Sequence, residues 1–205
     1  MAAQKKSLIA TERDTVARQA WHAESTALDP ARLVFLDETA TPTSMTRLRA
    51  RAPRGERAIG AVSRRRWQSV TLLASVRPTG MGAAMVLDGA VNREAFDAYV
   101  EQLLLPTLVP GQIVILDNLN VHKSPRARRL IEEAGCTLRF LPSYSPDFNP
   151  IELAFAKVKQ TLRGSAARTF AGIIAATGPA LDAITPADAG GFFAHCGYRP
   201  TGQLL

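Results

Sequence analysis

Apolar and polar positions alternate between two rhythms along this chain. Arg32-Leu-Val-Phe-Leu36 is a short, fully apolar run that ends in Asp37-Glu38, which predicts a buried strand. Ala58–Val62 and Val70–Val76 read as two further strands, with Arg64-Arg65-Arg66 near their turn, and Gly80 and Gly82 break the pattern after them. Phe96, Tyr99, Val100 and Leu103 then recur at helical spacing, predicting a helix over Asn92–Leu105 that Pro106 stops. Gln112-Ile-Val-Ile-Leu116 is apolar enough for a central strand and ends in Asp117-Asn118. Ser124-Pro125 opens a helix as N-cap and first residue, and Gly135 closes it. Thr137–Leu141 is the third strong strand, Pro142–Asn149 a loop, and Pro150 to about Leu162 a helix. Two more helices are expected at about 169–183 and 186–195. At the other end, Thr11–Trp21 reads as a helix with Thr11 as N-cap, closed by Asp29-Pro30. Strands followed by alternating strands and helices predict a mixed α/β sheet covered by helices on both faces.

Composition narrows the class. With 205 residues and 46% hydrophobic positions, the chain can bury a core. No apolar run reaches the ~18 residues of a membrane span, and the N-terminus lacks a signal-peptide pattern. Cys136 and Cys196 do not make a disulfide framework. A cytoplasmic, bacterial-type domain is expected.

The charge is uneven. Lys plus Arg number 25 and Asp plus Glu 18, a net of +7. Arg47, Arg49, Arg51, Arg54, Arg57, Arg64, Arg65 and Arg66 lie in twenty residues with a single acid, Glu56, so this stretch carries the whole excess. The guanidinium fork matches phosphate oxygens, so a polyanion is the expected partner, most simply nucleic acid; a solvated basic face is the plainer alternative.

Three carboxylates stand at element ends: Asp37, Asp117 and Glu152. Ligands of α/β sheets collect at the ends of central strands. Close carboxylates resist ionisation, and a divalent cation removes that conflict; Mg²⁺ prefers few carboxylates plus water and phosphate oxygens. His22, His122 and His195 lack zinc spacing. Each acid also has a structural explanation. Asp37 can cap the segment after its strand, and Asp117 can form an Asx turn. Glu152 sits where a capping box would place it, behind Asn149 as N-cap and Pro150 as first residue.

Four segments carry a family resemblance: Val34-Phe-Leu-Asp-Glu-Thr39, Arg51-Ala-Pro-Arg-Gly-Glu-Arg57, Ile115-Leu-Asp-Asn-Leu-Asn-Val-His-Lys-Ser124 and Leu141-Pro-Ser-Tyr-Ser-Pro-Asp-Phe-Asn-Pro-Ile-Glu-Leu153. Together they resemble the catalytic half of an insertion-sequence transposase of the IS630/Tc1-mariner type. The 34 residues between Asp117 and Glu152 match the interval of that superfamily. The resemblance implies a ribonuclease-H-like fold, with a mixed five-stranded sheet and helices on both faces. It implies Asp37, Asp117 and Glu152 as a catalytic and metal-binding triad holding two Mg²⁺ ions, for which Mn²⁺ can substitute. The implied reaction is phosphoryl transfer on double-stranded DNA, cutting transposon ends and joining them to target DNA at TA sites, by a homodimer in the nucleoid. Asn118 and Asn120 follow the second acid and are expected to orient it or a water, turn formation being their alternative; His122 near the same strand end is expected to assist them, a solvent-facing loop histidine being its alternative. The arginines of the basic stretch and Lys123 are expected along the DNA.

The sequence also departs from the family. Ala40-Thr-Pro-Thr-Ser44-Met45 lacks the Lys that members carry before Met. Only 36 residues precede Asp37, where members carry helix-turn-helix modules, so a separately encoded helix-turn-helix half is the expected partner. The expected organisation is a lead-in over 1–30, a catalytic domain over 31–164 and a helical extension over 165–205 packing on it. A catalytically silent DNA-binding remnant, or a nuclease of the same fold without strand transfer, are the competing readings.

Overall fold

A computed structural model describes residues 10–47, 50–60 and 68–199. Its centre is strand β1 (Leu33–Pro42), whose first four residues are wholly buried. Strands β2 (Ser69–Arg77) and β3 (Gly80–Asp88) extend the sheet antiparallel on one side. Strands β4 (Ile113–Leu116) and β5 (Thr137–Phe140) extend it in parallel on the other, giving the order β3-β2-β1-β4-β5. Such near-continuous apolar runs are what strands covered on both faces require.

Period-two alternation sorts these strands into two cores. Leu33, Phe35 and Ile115 face a cluster with Ile151, Phe155 and Val158 of helix α4 (Pro150–Ser165) and Ala189 and Phe193 of α6 (Pro186–His195). Between them in sequence, α5 (Phe170–Asp182) packs on α4 and supplies Ala180 to the same cluster. Val34, Leu36, Val114 and Leu116 face the opposite cluster, with Phe96 and Tyr99 of α2 (Arg93–Tyr99) and Ala127 and Ile131 of α3 (Pro125–Glu133). Cys136 and Cys196 are both buried free thiols. No single described helix is long and apolar enough to cross a membrane.

Four elements differ from the sequence reading. β1 does not end at Leu36 but runs through Asp37 to Pro42, because β2 keeps pairing with it after β4 has stopped. Residues 58–60 are exposed and form no strand; Ala61 and Val62 lie outside the described residues. Gly80 and Gly82 are instead part of β3: a Cβ at Gly82 would come within 2.5 Å of Ser75 Oγ, beside the register shift between Ala74 and Val76. Glycine there permits a close approach rather than breaking the strand. The segment after Tyr99 continues as a π-helical turn, Val100–Leu104, then a 3-10 turn holding Pro106. Proline has no N–H for the α-helical ladder and crowds the preceding turn.

The N-terminal helix α1 spans Thr15–Ser25, and its cap is Asp14, not Thr11: Asp14 Oδ1 accepts from Ala17 N at 2.9 Å. This helix is docked on the domain. Arg13 and Arg18 both pair with Asp147, and Glu24 pairs with Arg139 at 2.6 Å. Buried Trp21 Nε1 donates to Tyr198 Oη at 3.1 Å, and Tyr198 donates onward to Phe148 O at 2.8 Å. Tyr198 thus joins the N-terminal helix, the C-terminal segment and the loop before α4. Tyr198→Phe strands a buried donor and a carbonyl, and should lower unfolding free energy by about 1–3 kcal/mol in urea titrations; an unchanged midpoint would show that this bridge carries no stability.

Candidate active site

The last pair between the parallel strands is Leu36 with Leu116. The next residue on each strand is an acid, Asp37 and Asp117, so strand register alone sets them side by side. Asp37 stays in β1, opposite Ala74 of β2, while β4 ends and the chain turns away. On the far side of β4, Leu141 N donates to Leu116 O at 2.8 Å, which brings the Pro142–Asn149 loop against Asp117. That loop hands the chain to α4, whose first turn carries Glu152. Asp37, Asp117 and Glu152 all line one cleft of about 380 Å³, with Asn118, Tyr144 and Asn149 among its other walls.

The electrostatics reflect this crowding. Asp37 is 7% exposed, and its carboxyl is pushed up to about 7, first by burial and then by the charge of Asp117, with Glu38 and Glu152 adding to it. One bond from Glu38 N to Asp37 Oδ1, 2.8 Å, works in the other direction. Asn149 Nδ2 donates to Asp37 Oδ2, also at 2.8 Å, within the buried wall. Asn149 is therefore the N-cap of α4 by position only. Its side chain makes no cap bond, so Glu152 is not half of a capping box.

His122 is fully buried, not solvent-facing. Its Nδ1 lies 2.5 Å from Asp117 Oδ1 and its Nε2 2.7 Å from Glu38 Oε2, with its ring 5.0 Å from that of Phe96. Burial opposes charge on the imidazole, but the hydrogen bonds to Asp117 and Glu38 outweigh it and push the group up to about 9. Held between two carboxylates, His122 is an imidazolium that donates to both. Asn118 is exposed at the cleft and donates to Ser143 Oγ at 3.0 Å, tying the two loops together. Asn120 does not reach the cleft: it opens a 3-10 turn, Asn120–His122, and its carbonyl accepts from Lys123 N. Lys123 is exposed beside that turn.

Two residues near the acids escaped the sequence reading. Glu38 was legible as the second acid of the Asp37-Glu38 pair, pointing to the opposite face by alternation. Asn149 gave no signal beyond that of a helix cap. Tyr144 is 58% exposed on the cleft wall with a left-handed backbone, φ 53°, rare for a tyrosine.

All-oxygen donors in an open cleft suit a hard divalent cation. Among the described residues, no three His, Cys, Asp or Glu side chains stand close enough to enclose an ion as they are.

Arg51, Arg54 and Arg57 are exposed and make no ion pair among the described residues, whereas Arg47 donates to Gly164 O at 3.5 Å. Arg49, Arg64, Arg65 and Arg66 lie outside the described residues.

The model of the DDE superfamily endonuclease family matches residues 32–172, a span that contains all three acids. The fold is similar to that of solved Mos1 mariner transposase structures. A pre-cleavage Mos1 transpososome superposes with a TM-score of 0.75 at 15% identity, over 96% of this chain and 64% of that one. A Mos1 paired-end complex with Mg gives 0.73 at 16% identity, over 96% and 63%. The Mos1 catalytic domain gives 0.66 at 14% identity, over 88% and 85%. This chain thus spans just under two thirds of the transpososome chain, and 85% of the catalytic domain. The likeness identifies the sheet and its helices as ribonuclease-H-like. A comparison with curated protein sequences finds no match.

Two of the shifted groups, Asp37 and His122, contribute to how stability depends on pH in metal-free buffer. Between about pH 4 and 7 the folded chain holds the Asp37 proton and the unfolded chain does not, so stability falls as pH rises, by about 1.4 kcal/mol per unit. His122 also has its folded value raised, so its contribution is complete below about 6.5 and is lost as pH climbs through about 9. Asp37→Asn should remove the first decline and gain on the order of 3 kcal/mol over wild type at pH 8. Urea titrations across pH 4–10 measure this; a variant less stable than wild type at pH 8 would contradict it.

Proposed function

This chain belongs to the DDE superfamily of endonucleases, and on that premise we propose that it is the catalytic domain of a transposase of the IS630/Tc1-mariner type. It cuts and joins DNA strands by divalent-metal-dependent phosphoryl transfer. The observation that carries this reading is the convergence of Asp37, Asp117 and Glu152 on one cleft, at the point where β1 has lost one neighbour. In this proposal those three carboxylates hold two Mg²⁺ ions, with Mn²⁺ as a substitute. The ions supply Lewis acidity at the scissile phosphate and neutralise charge on the attacking and leaving oxygens.

The protein's own groups prepare the site. The imidazolium of His122, braced by Glu38, occupies Asp117 Oδ1 and leaves Oδ2 free for the cleft. The hydrogen bond from Asn118 to Ser143 holds the walls in register. No side chain is needed as a covalent nucleophile, because water and then a DNA 3′-hydroxyl serve. Among the described residues lining the cleft with Tyr144 there is no Arg or His, the set a tyrosine recombinase needs.

Double-stranded DNA is the proposed substrate, as transposon end and as target, the target being TA dinucleotides, whose steps unstack readily. The arginines of 47–66 and Lys123 provide phosphate contacts that carry position rather than sequence. Sequence-specific end recognition falls to a helix-turn-helix partner, and activity to a homodimer, in the bacterial cytoplasm on the nucleoid.

A strand-nicking and strand-joining assay on a supplied transposon end tests the chemistry. Cleavage should require Mg²⁺ or Mn²⁺, stop in EDTA, and drop about 10³-fold or more in Asp37→Ala, Asp117→Ala or Glu152→Ala, the several kcal/mol a metal site contributes. Metal-dependent cleavage retained in Asp117→Ala would overturn the assignment, and nicking without joined products would leave a nuclease. For the basic stretch, replacing Arg64, Arg65 and Arg66 by Gln should weaken binding to all duplexes alike and reduce the log–log salt slope by about 0.9 per lost contact. An unchanged slope in filter-binding measurements would assign those arginines to solubility instead.

A further inference from the structure

We infer that Asn149 is a positioning residue for the metal site, a strut that fixes the gap between Asp37 and Glu152. This deepens the metal-dependent reading above and rests on it.

Four independent features of Asn149 lead there. It stands at the N-cap of a 16-residue helix with the extended backbone a cap requires, φ −110° and ψ 98°, and asparagine is among the best caps. Its side chain nevertheless forgoes that bond. It is 3% exposed and turns instead into the cleft wall, where Nδ2 donates to Asp37 Oδ2 at 2.8 Å. Its own carbonyl accepts from Glu152 N at 3.2 Å, so one residue is bonded to both outer acids, through its side chain to one and through its backbone to the other. Finally, Asn149 Oδ1 is a buried acceptor with no partner among the described residues. Buried acceptors are nearly always satisfied, and an exception calls for a reason.

The geometry fits one purpose. Asp37 Oδ1 is held by Glu38 N and Oδ2 by Asn149 Nδ2. Each carboxylate oxygen spends one lone pair on the protein and keeps another. Both donors fix the plane of the carboxylate, as outer hydrogen bonds do for metal-binding side chains. With Asp37 ionised, as a cation site requires, the amide does not flip to satisfy Oδ1 internally, because that would aim its oxygen at the Asp37 carboxylate. Oδ1 is left without a partner among the described residues because Nδ2 is committed to Asp37.

The test separates this role from helix capping. Serine and threonine cap helices well, but neither reaches Asp37 from position 149. Mn²⁺ titrations, followed by the electron paramagnetic resonance of the free ion, are run on wild type, Asn149→Ser, Asn149→Thr and Asp37→Ala, with thermal melts of each in EDTA. Wild type should bind Mn²⁺ and Asp37→Ala should lose it. Asn149→Ser and Asn149→Thr should melt as cooperatively as wild type yet bind Mn²⁺ about 10–100-fold more weakly, the range seen when such outer partners are removed. With Mg²⁺, their cleavage rate should fall while KM for DNA stays put. Mn²⁺ affinity within threefold of wild type in the two variants overturns the inference and leaves the metal reading standing. Failure of both variants to fold also overturns it, since the role would then be structural. A wild type that binds no Mn²⁺ overturns the metal reading itself.

Discussion

Everything in this structure turns on bringing like charges together and keeping them there. Asp37 and Asp117 occupy the first positions past the last β1–β4 pair, so the hydrogen-bond ladder of two buried strands imposes their proximity. A one-residue slip of either strand would send its acid to the wrong face and its apolar set with it, which makes the register costly to change. The sheet thus supplies the energy that holds the carboxylates against their repulsion. The raised Asp37 carboxyl is the visible consequence, since burial and Asp117 penalise its charge together. Only part of this charge is answered inside the protein, where the imidazolium of His122 serves Asp117 and Glu38.

The third acid needs a different device, because it comes from the first turn of a helix and not from the hydrogen-bond ladder of the sheet. The loop before α4 is pinned from three directions. Arg13 and Arg18 of the N-terminal segment grip Asp147, Tyr198 grips Phe148, and Asn118 grips Ser143. Arg18 also lies over the Phe148 ring, 4.3 Å from its centre. Segments far apart in sequence therefore serve one end, which is to deliver Asn149 and Glu152 to a set place. Loop tips carry function when a rigid frame positions them, and here the frame includes both ends of the described chain.

Much of this was legible in the sequence where physics is local. Apolar runs marked β1, β4 and β5, helical spacing marked α2 and α4, and the acids at their ends marked the cleft. The reading failed where tertiary pairing decides. β1 runs past Leu36 because a partner strand is present, which no propensity of Asp37-Glu38-Thr39 reveals. Gly80 and Gly82 looked like breakers because their value is a close approach to Ser75, visible only in three dimensions. Thr11 and Asp14 compete as caps on equal terms in a sequence, and only the structure shows which one accepts. Asn149 is the sharpest case. Its position reads as a cap, and its side chain has been diverted to a carboxylate 112 residues away. His122 likewise reads as a loop residue, yet it is sealed behind Phe96 between two acids.

The claim at the centre of this account is that the three carboxylates form one cation site. Crystals of the protein grown with Mn²⁺, measured at the manganese absorption edge, test it most directly. The account places the anomalous density in the cleft, bonded to oxygens of Asp37, Asp117 and Glu152 at about 2.0–2.3 Å, as for hard divalent ions on carboxylates. Strong anomalous density elsewhere on the protein, with this cleft empty at saturating Mn²⁺, would contradict it.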